Sequence, residues 1–329
     1  MTRTIVMLLS TTIALSTASA GEMSDAIPMR PSHTYSIVCY DSATGQFGAA
    51  VQSHWFKVAN VIWAEPGVGA IATQSFSDYR YGLLGLEMMR AGKSAQEALA
   101  GLLASDPNEA VRQVGMIDIH GGVVAHTGSK CIADAGHRVG VNYSVQANLM
   151  LKNTVWDAMA EAFENAKGDL ADRMMAALEA AQAEGGDIRG KQSAAMIVVA
   201  AKPTGLPWQD RLVDIRVDDS AEPLRELKRL LEVTRAYQKM DEGDNLVTLG
   251  KFDDAGTAYA EAARLNPDNV EILFWHAVTL AYNGQVERSL PIFKEVFAKA
   301  PIWRELVPRL VKPELLPDDP KLIERIVSQ

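Results

Sequence analysis

The 329-residue chain carries 41 Asp and Glu against 32 Lys and Arg, a formal net charge of −9 at pH 7. That acidic balance argues against coating nucleic acid or an anionic membrane, since both select positive potential. With 48% hydrophobic and 22% charged residues the composition is that of a globular protein rather than a disordered one, and its length suits two domains or one large domain with an appendage.

The first twenty residues read as a secretory signal: Arg3 supplies the positive start, Ile5 to Ala14 an apolar stretch, and Ala18-Ser19-Ala20 a small-residue cleavage site. The apolar stretch is too short for a membrane span of about 20 residues and is interrupted by Ser10, Thr11 and Thr12. A periplasmic or secreted protein with no membrane span is therefore expected. Residues 21–33 lack periodicity and read as a leader. Export would permit a Cys39–Cys131 bridge, but two buried thiols acting as small hydrophobes is the simpler reading.

From Thr34 the pattern sharpens. Residues 34–40 and 47–52 are extended runs joined by turn chemistry at 41–45, which predicts a hairpin. Strands follow at 61–63 and 68–73. A helix at 81–90 comes next, then one opened by a Ser94/Glu97 capping box and closed by Asp106-Pro107. Residues 113–119 and 123–127 pair across Gly121-Gly122, and 139–146 reads as one further strand. A helix bearing Trp156, Met159 and Phe163 stops at Gly168, a second spans 169–184, and strands at 193–201 and 213–217 complete the pattern. Grouped strands and paired helices, rather than strict alternation, predict two stacked sheets flanked by helices, an α+β fold.

After residue 220 the texture is helical and repeats. Gly250 and Gly284, Tyr259 and Phe293, and Pro267 and Pro301 are each 34 residues apart, the tetratricopeptide period, with Ser289 standing where the first repeat has Ala255. A helix at 222–239 and the tail from Trp303 are expected to cap this stack or dock it on the preceding part. The expected organisation is an αβ domain at 34–219 and a small all-α domain at 220–329.

The hairpin carries the first chemical expectation. Closing 34–40 onto 47–52 brings Thr34 beside Gln52, Ser53 and His54, a hydroxyl, an amide and an imidazole together. The alternative is a β-forming Thr34 and a hydrogen-bonded loop His54. Asn148 and Gln192 offer amide N–H groups that could hold an oxyanion, or could simply tie loops. Asp187 and Arg189 straddle a Gly-rich turn and either anchor a carboxylate or ureide through the guanidinium or form a structural pair. Gln74 and Ser75 end a strand where they could line the same pocket.

A zinc site at His126, Cys131 and His137, with His54 as a fourth ligand, is disfavoured. The His-x4-Cys-x5-His spacing contains no tight-turn ligand pair and no Cys-x2-Cys is present. No metal and no cofactor are expected. His120 reads as a turn residue and His276 as packing. In the repeats, Trp275 and Tyr282 either face a peptide or, with Phe274, form inter-helix core.

Five ordered motifs resemble one family: Thr-Tyr-Ser-Ile-Val at 34–38, Ala-Val-Gln-Ser-His-Trp at 50–55, Pro-Gly-Val-Gly-Ala-Ile-Ala-Thr-Gln-Ser at 66–75, Gln-Ala-Asn-Leu-Met at 146–150 and Gly-Asp-Ile-Arg-Gly-Lys-Gln-Ser-Ala-Ala at 186–195. They are similar to the family catalogued as domain of unknown function 1028. The resemblance implies the four-layer αββα sandwich of N-terminal-nucleophile (Ntn) hydrolases. It maps onto Thr34 the role of nucleophile, with its own α-amine as base. Signal cleavage exposes Gly21, so that role requires a second cut at His33-Thr34, and His33 departs from the small residue that often precedes such nucleophiles.

The implied function is an exported amidohydrolase acting on a small amide, ureide or peptide-like substrate. Thr34 attacks, Asn148 and Gln192 serve the oxyanion, and Ser53, His54, Gln74, Asp187 and Arg189 bind substrate. The alternative is a non-catalytic binding or assembly module whose helical repeats recruit a protein or cell-wall partner. An oligomer is compatible with either.

Overall fold

The computed structural model describes residues 34–329; the expected signal, leader and His33 cleavage point lie outside them. Among the described residues, ten strands form two antiparallel sheets. The first sheet is built from β1 (Thr34–Tyr40), β2 (Phe47–Ser53), β7 (Gly136–Gly140), β8 (Tyr143–Ala147), β9 (Ser193–Val199) and β10 (Arg211–Val217), in the order β10-β9-β2-β1-β8-β7. The second contains β3 (Ile62–Glu65), β4 (Gly69–Ser75), β5 (Arg112–Asp118) and β6 (Val123–Thr127), in that order.

Because side chains alternate along a strand, the inner strands of each sheet bury both faces. Val38, Ala49, Val51, Ala70, Ala72, Ile117, Ala195 and Ile197 fill the space between the sheets. On the outer face of the second sheet, Ile71, Val114 and Met116 meet α1 (Arg80–Arg90) and α2 (Ala95–Ser105). Across the molecule, Tyr35, Ile37, Val145 and Met196 meet α3 (Val155–Asn165) and α4 (Leu170–Ala183). The layer order is helix, sheet, sheet, helix. The Ser94/Glu97 capping box opens α2, and Asp169 with Asp172 caps α4 in the same reciprocal way.

The single strand expected at 139–146 is instead a hairpin, β7 and β8, turning at Val141-Asn142 with Gly140 paired to Tyr143. Two residues make the turn possible. Asn142 adopts a left-handed φ of 62°, which Asn tolerates better than most residues. A Cβ on Gly140 would lie 2.2 Å from the Tyr143 ring, so only glycine leaves that ring its place.

The helical segment begins differently from the expectation as well. After the short α5 (Pro207–Asp210) and β10, α6 runs unbroken from Pro223 to Thr248, because no glycine or proline interrupts it after its proline start except Gly243, which packs under Tyr259. Leu224, Leu227 and Leu231 join the core beneath α4. Arg235 pairs with Asp169 at 2.7 Å and Asp172 at 2.9 Å, so the first half of α6 is tied to the sandwich. Its second half pairs with α7 (Phe252–Leu265).

Next come α8 (Val270–Tyr282), α9 (Val286–Lys299), two 3₁₀ turns at Pro301–Glu305 and Val307–Leu310, and α10 (Pro320–Val327). Gly250 and Gly284 take left-handed φ values of 74° and 77° just past α6 and α8, where a helix terminus favours glycine. Tyr259 and Phe293 are both fully buried, as are Ala255 and Ser289. No helix among the described residues is long and apolar enough to cross a membrane.

Candidate functional site

The residues between the two sheets change character along the strands. Toward the Tyr40 end of β1 they are Val38, Phe47, Ala49, Ala70, Ile117 and Val199. Toward the Thr34 end the same alternation delivers Thr34, Ser36, Ser53, Gln74, Gln113, Gln146 and Ser193, all with no exposed surface. Register explains the convergence: Thr34 opposes Ser53, Ser53 opposes Ser193, Ser36 opposes Gln146, and Gln74 opposes Gln113. Polar groups withdrawn from water must be hydrogen-bonded or they destabilise the fold; Ser36, Gln74, Gln113 and Gln146 bond across the gap between the sheets, while Ser193 accepts from the Val58 backbone N–H at 3.1 Å.

Gln113 is the hub. Its Oε1 accepts from Gln74 Nε2 at 2.7 Å and from Asn148 Nδ2 at 2.8 Å, while its Nε2 donates to Thr127 Oγ1 at 2.9 Å and to the carbonyls of Ala147 at 2.9 Å and Gly136 at 3.1 Å. Ser36 donates to Gln74 Oε1 at 2.6 Å and accepts from Gln146 Nε2 at 2.7 Å. Gly115 makes room for this: a Cβ there would lie 2.4 Å from Gln146 Oε1.

Thr34 heads β1 at the edge of this network. Its carbonyl accepts from the Asn148 backbone N–H at 3.2 Å, from Gln74 Nε2 at 3.2 Å and from Asn148 Nδ2 at 3.4 Å. The left-handed residues Ser75 (φ 68°) and Leu149 (φ 58°) follow Gln74 and Asn148 directly and turn the chain away, leaving both amides at the strand ends. Thr34, Ser53, Gln74 and Asn148 are thus brought together.

The remaining expected residues lie on the flank. Asp187, buried, accepts from the His54 backbone N–H at 3.1 Å and from Arg189 at N, Nε and Nη2 at 2.9, 3.0 and 2.7 Å. Asp187 therefore fixes the chain just after Ser53 and turns one edge of the guanidinium inward, which is the structural-pair arrangement of Asp187 and Arg189. Beside it, Tyr35 donates to Gln52 Oε1 and, at 3.1 Å, to Gln182; burial and then the Asp187 charge hold its hydroxyl well above the usual tyrosine range.

Gln192 is separated from the network. Its backbone N–H meets the Ser53 carbonyl at 3.1 Å, but its side-chain amide donates to Asp219 at 3.2 Å.

The histidines and cysteines disperse. His126 faces the Glu109 carboxylate at 3.2 Å, His137 Nδ1 contacts Thr127 Oγ1 at 2.8 Å, and Cys131 donates to the Arg112 carbonyl at 3.3 Å. Burial, reinforced by His126, lowers the His137 pKa. No group of His, Cys, Asp or Glu among the described residues could hold a metal ion. Cys39 and Cys131 are both free thiols, and burial pushes each upward in pKa.

Sequence reasoning missed Ser36, Gln113, Gln146 and Ser193. A signal was available: each is polar at a position where strand alternation calls for an apolar inward residue.

The family model for the family of unknown function DUF1028 matches residues 34–227. A crystal structure of protein SPO2555 from Silicibacter pomeroyi, described by the same family, is similar at 28% identity and a TM-score of 0.55, covering 61% of this chain and 88% of that one. No curated protein matches the chain.

Proposed function

The chain belongs to the DUF1028 family, and on that premise we propose that the polar end of its sandwich is the site of an amide-bond hydrolase with Thr34 as nucleophile. The protein is exported on its first twenty residues, and hydrolysis of the His33–Thr34 peptide bond, consuming one water, frees the Thr34 α-amine. An α-amine titrates near 8, which suits it to accept the hydroxyl proton at neutral pH.

Thr34 Oγ1 then attacks the substrate carbonyl carbon while the amine takes its proton. The oxygen of the tetrahedral intermediate replaces the Thr34 carbonyl at Asn148 Nδ2, whose 3.4 Å contact is the longest of the three made to that carbonyl. Collapse returns the proton to the leaving amine and leaves an ester on Oγ1. Water, deprotonated by the same amine, cleaves the ester and regenerates Thr34. Gln192 has no part in this scheme, and Arg189 acts through Asp187 to hold the Ser53–His54 corner.

The observation that carries the reading is that Thr34, opposite Ser53, lies at the end of the sandwich where the Gln74 and Asn148 amides converge on its carbonyl. The side chains that converge there from the two sheets, Thr34, Ser36, Ser53, Gln74, Gln113, Gln146 and Asn148, are amides and hydroxyls, which favours an uncharged amide, ureide or peptide-like substrate. An alkyne-bearing β-lactone, which acylates activated hydroxyls, tests it: Thr34 is the modified residue in the wild type, and Thr34→Ala abolishes labelling while Thr34→Ser retains it. Labelling that survives Thr34→Ala removes Thr34 as nucleophile.

A second reading draws support from the full burial and mutual bonding of the same residues. In it the sandwich is a non-catalytic module and the helices from α6 onward, with the exposed Tyr282, recruit a protein partner. No labelling of the wild type at any residue favours it.

A further inference from the structure

The opposite end of the sandwich holds a cavity of about 380 Å³ that the proposed hydrolysis does not use. Its walls come from four separate pieces of chain: Tyr40 at the end of β1, Ser42 in the turn after it, Asn142 and Tyr143 at the β7–β8 turn, Glu164 near the end of α3 and Arg173 in the first turns of α4. A volume of this size is within the range of small-molecule sites.

Arg173 is held by packing rather than by a carboxylate. Its guanidinium lies 4.1 Å above the Phe163 ring, and Nε donates to the Phe163 carbonyl at 3.4 Å. Among the described residues it has no salt-bridge partner and its Nη groups have no protein acceptor, so a preoriented cation faces the cavity. Glu164 supplies the opposite charge. It accepts from the Tyr143 hydroxyl, lies 3.6 Å from Arg138, and keeps a partly exposed carboxylate on the cavity wall. The Tyr40 ring, braced by Phe47 with centroids 4.8 Å apart, provides an aromatic wall, and Asn142 and Ser42 add neutral polar groups.

A simple anion would meet Glu164 unfavourably and a simple cation would meet Arg173 unfavourably, whereas a ligand carrying both charges answers both. We propose that this cavity binds a zwitterionic α-amino acid, its carboxylate on the Arg173 guanidinium, its ammonium on Glu164 and an apolar side chain against Tyr40. The site is independent of the hydrolase reading, since it shares no residue with the Thr34 end.

Calorimetric titration of the full chain with L-phenylalanine, phenylacetate, phenethylamine and N-acetyl-phenylalaninamide tests it. L-phenylalanine binds, and each analogue lacking one or both charges binds at least about tenfold more weakly, the scale of one charge-assisted contact. Arg173→Gln weakens L-phenylalanine binding at least about tenfold with a native melting temperature. Absence of L-phenylalanine binding overturns the proposal, as does phenylacetate or phenethylamine binding as tightly as the amino acid. Undiminished L-phenylalanine binding to a folded Arg173→Gln protein overturns it too.

Discussion

The two ends of the space between the sheets are built from the same strand pairs and are both buried, yet they are held together differently. At the Tyr40 end, Val38, Phe47, Ala49, Ile117 and Val199 interlock without hydrogen bonds between side chains. At the Thr34 end, Ser36, Gln74, Gln113, Gln146 and Asn148 form a bonded network across the sheets. Apolar packing is non-directional and tolerates repacking at constant volume, whereas an amide network fixes donors and acceptors in direction and is costly when one member is missing. Under the proposed hydrolase chemistry, the directional arrangement holds Thr34 in one orientation.

The sharpest break in the comparison is Thr34→Ala. It eliminates amide hydrolysis, a loss of at least about a thousandfold, as expected for a nucleophile, while denaturant unfolding changes little. Phe47→Ala, at the other end, leaves Thr34 chemistry intact and costs about 3–5 kcal/mol of stability through cavity formation. Gln113→Leu preserves volume yet strands the Gln74 and Asn148 donors; about 3 kcal/mol is lost, and the Gln74→Leu/Gln113→Leu double mutant shows coupling above about 1 kcal/mol in a cycle of unfolding free energies. Equivalent volume-conserving changes at Ile197 cost less than about 1.5 kcal/mol.

A third region extends the contrast to the helices. His276 is 9% exposed, stacks on Tyr259 at 4.0 Å and has a buried Nε2 without a hydrogen-bond partner. Burial first, and Arg288 second, lower its pKa to about 4. The folded value lies below the unfolded one near 6.5, so the unfolded chain binds more protons between those limits. Stability therefore falls as pH falls from about 6.5 to about 4, by about 3 kcal/mol at the acid end. Melting temperatures across that window check it, and His276→Phe flattens the dependence.

The parts legible in the sequence are those fixed by neighbours along the chain. The turn at 41–45 sets the β1–β2 register and hence the Thr34↔Ser53 pairing, Asp187 and Arg189 are two residues apart on one turn, and the 34-residue spacing places Gly250 and Gly284 at equivalent helix ends. What escaped depends on pairing between distant segments. Gln113 meets Asn148 only because β5 and β8 face each other from different sheets, and nothing near Gln192 in the chain signals that its amide turns to Asp219. The β7–β8 turn was missed because Val141-Asn142 lacks the Asn-Gly order that marks tight hairpins.

The proposed hydrolysis requires Thr34 to be the first residue of the working protein. N-terminal sequencing with intact mass, on protein purified from the exporting cell, tests it most directly. The proposed chemistry predicts a chain that begins at Thr34, its mass lower than that of the full translation product by residues 1–33. A single species beginning at Gly21 would leave the Thr34 nitrogen in a peptide bond and contradict the proposed chemistry.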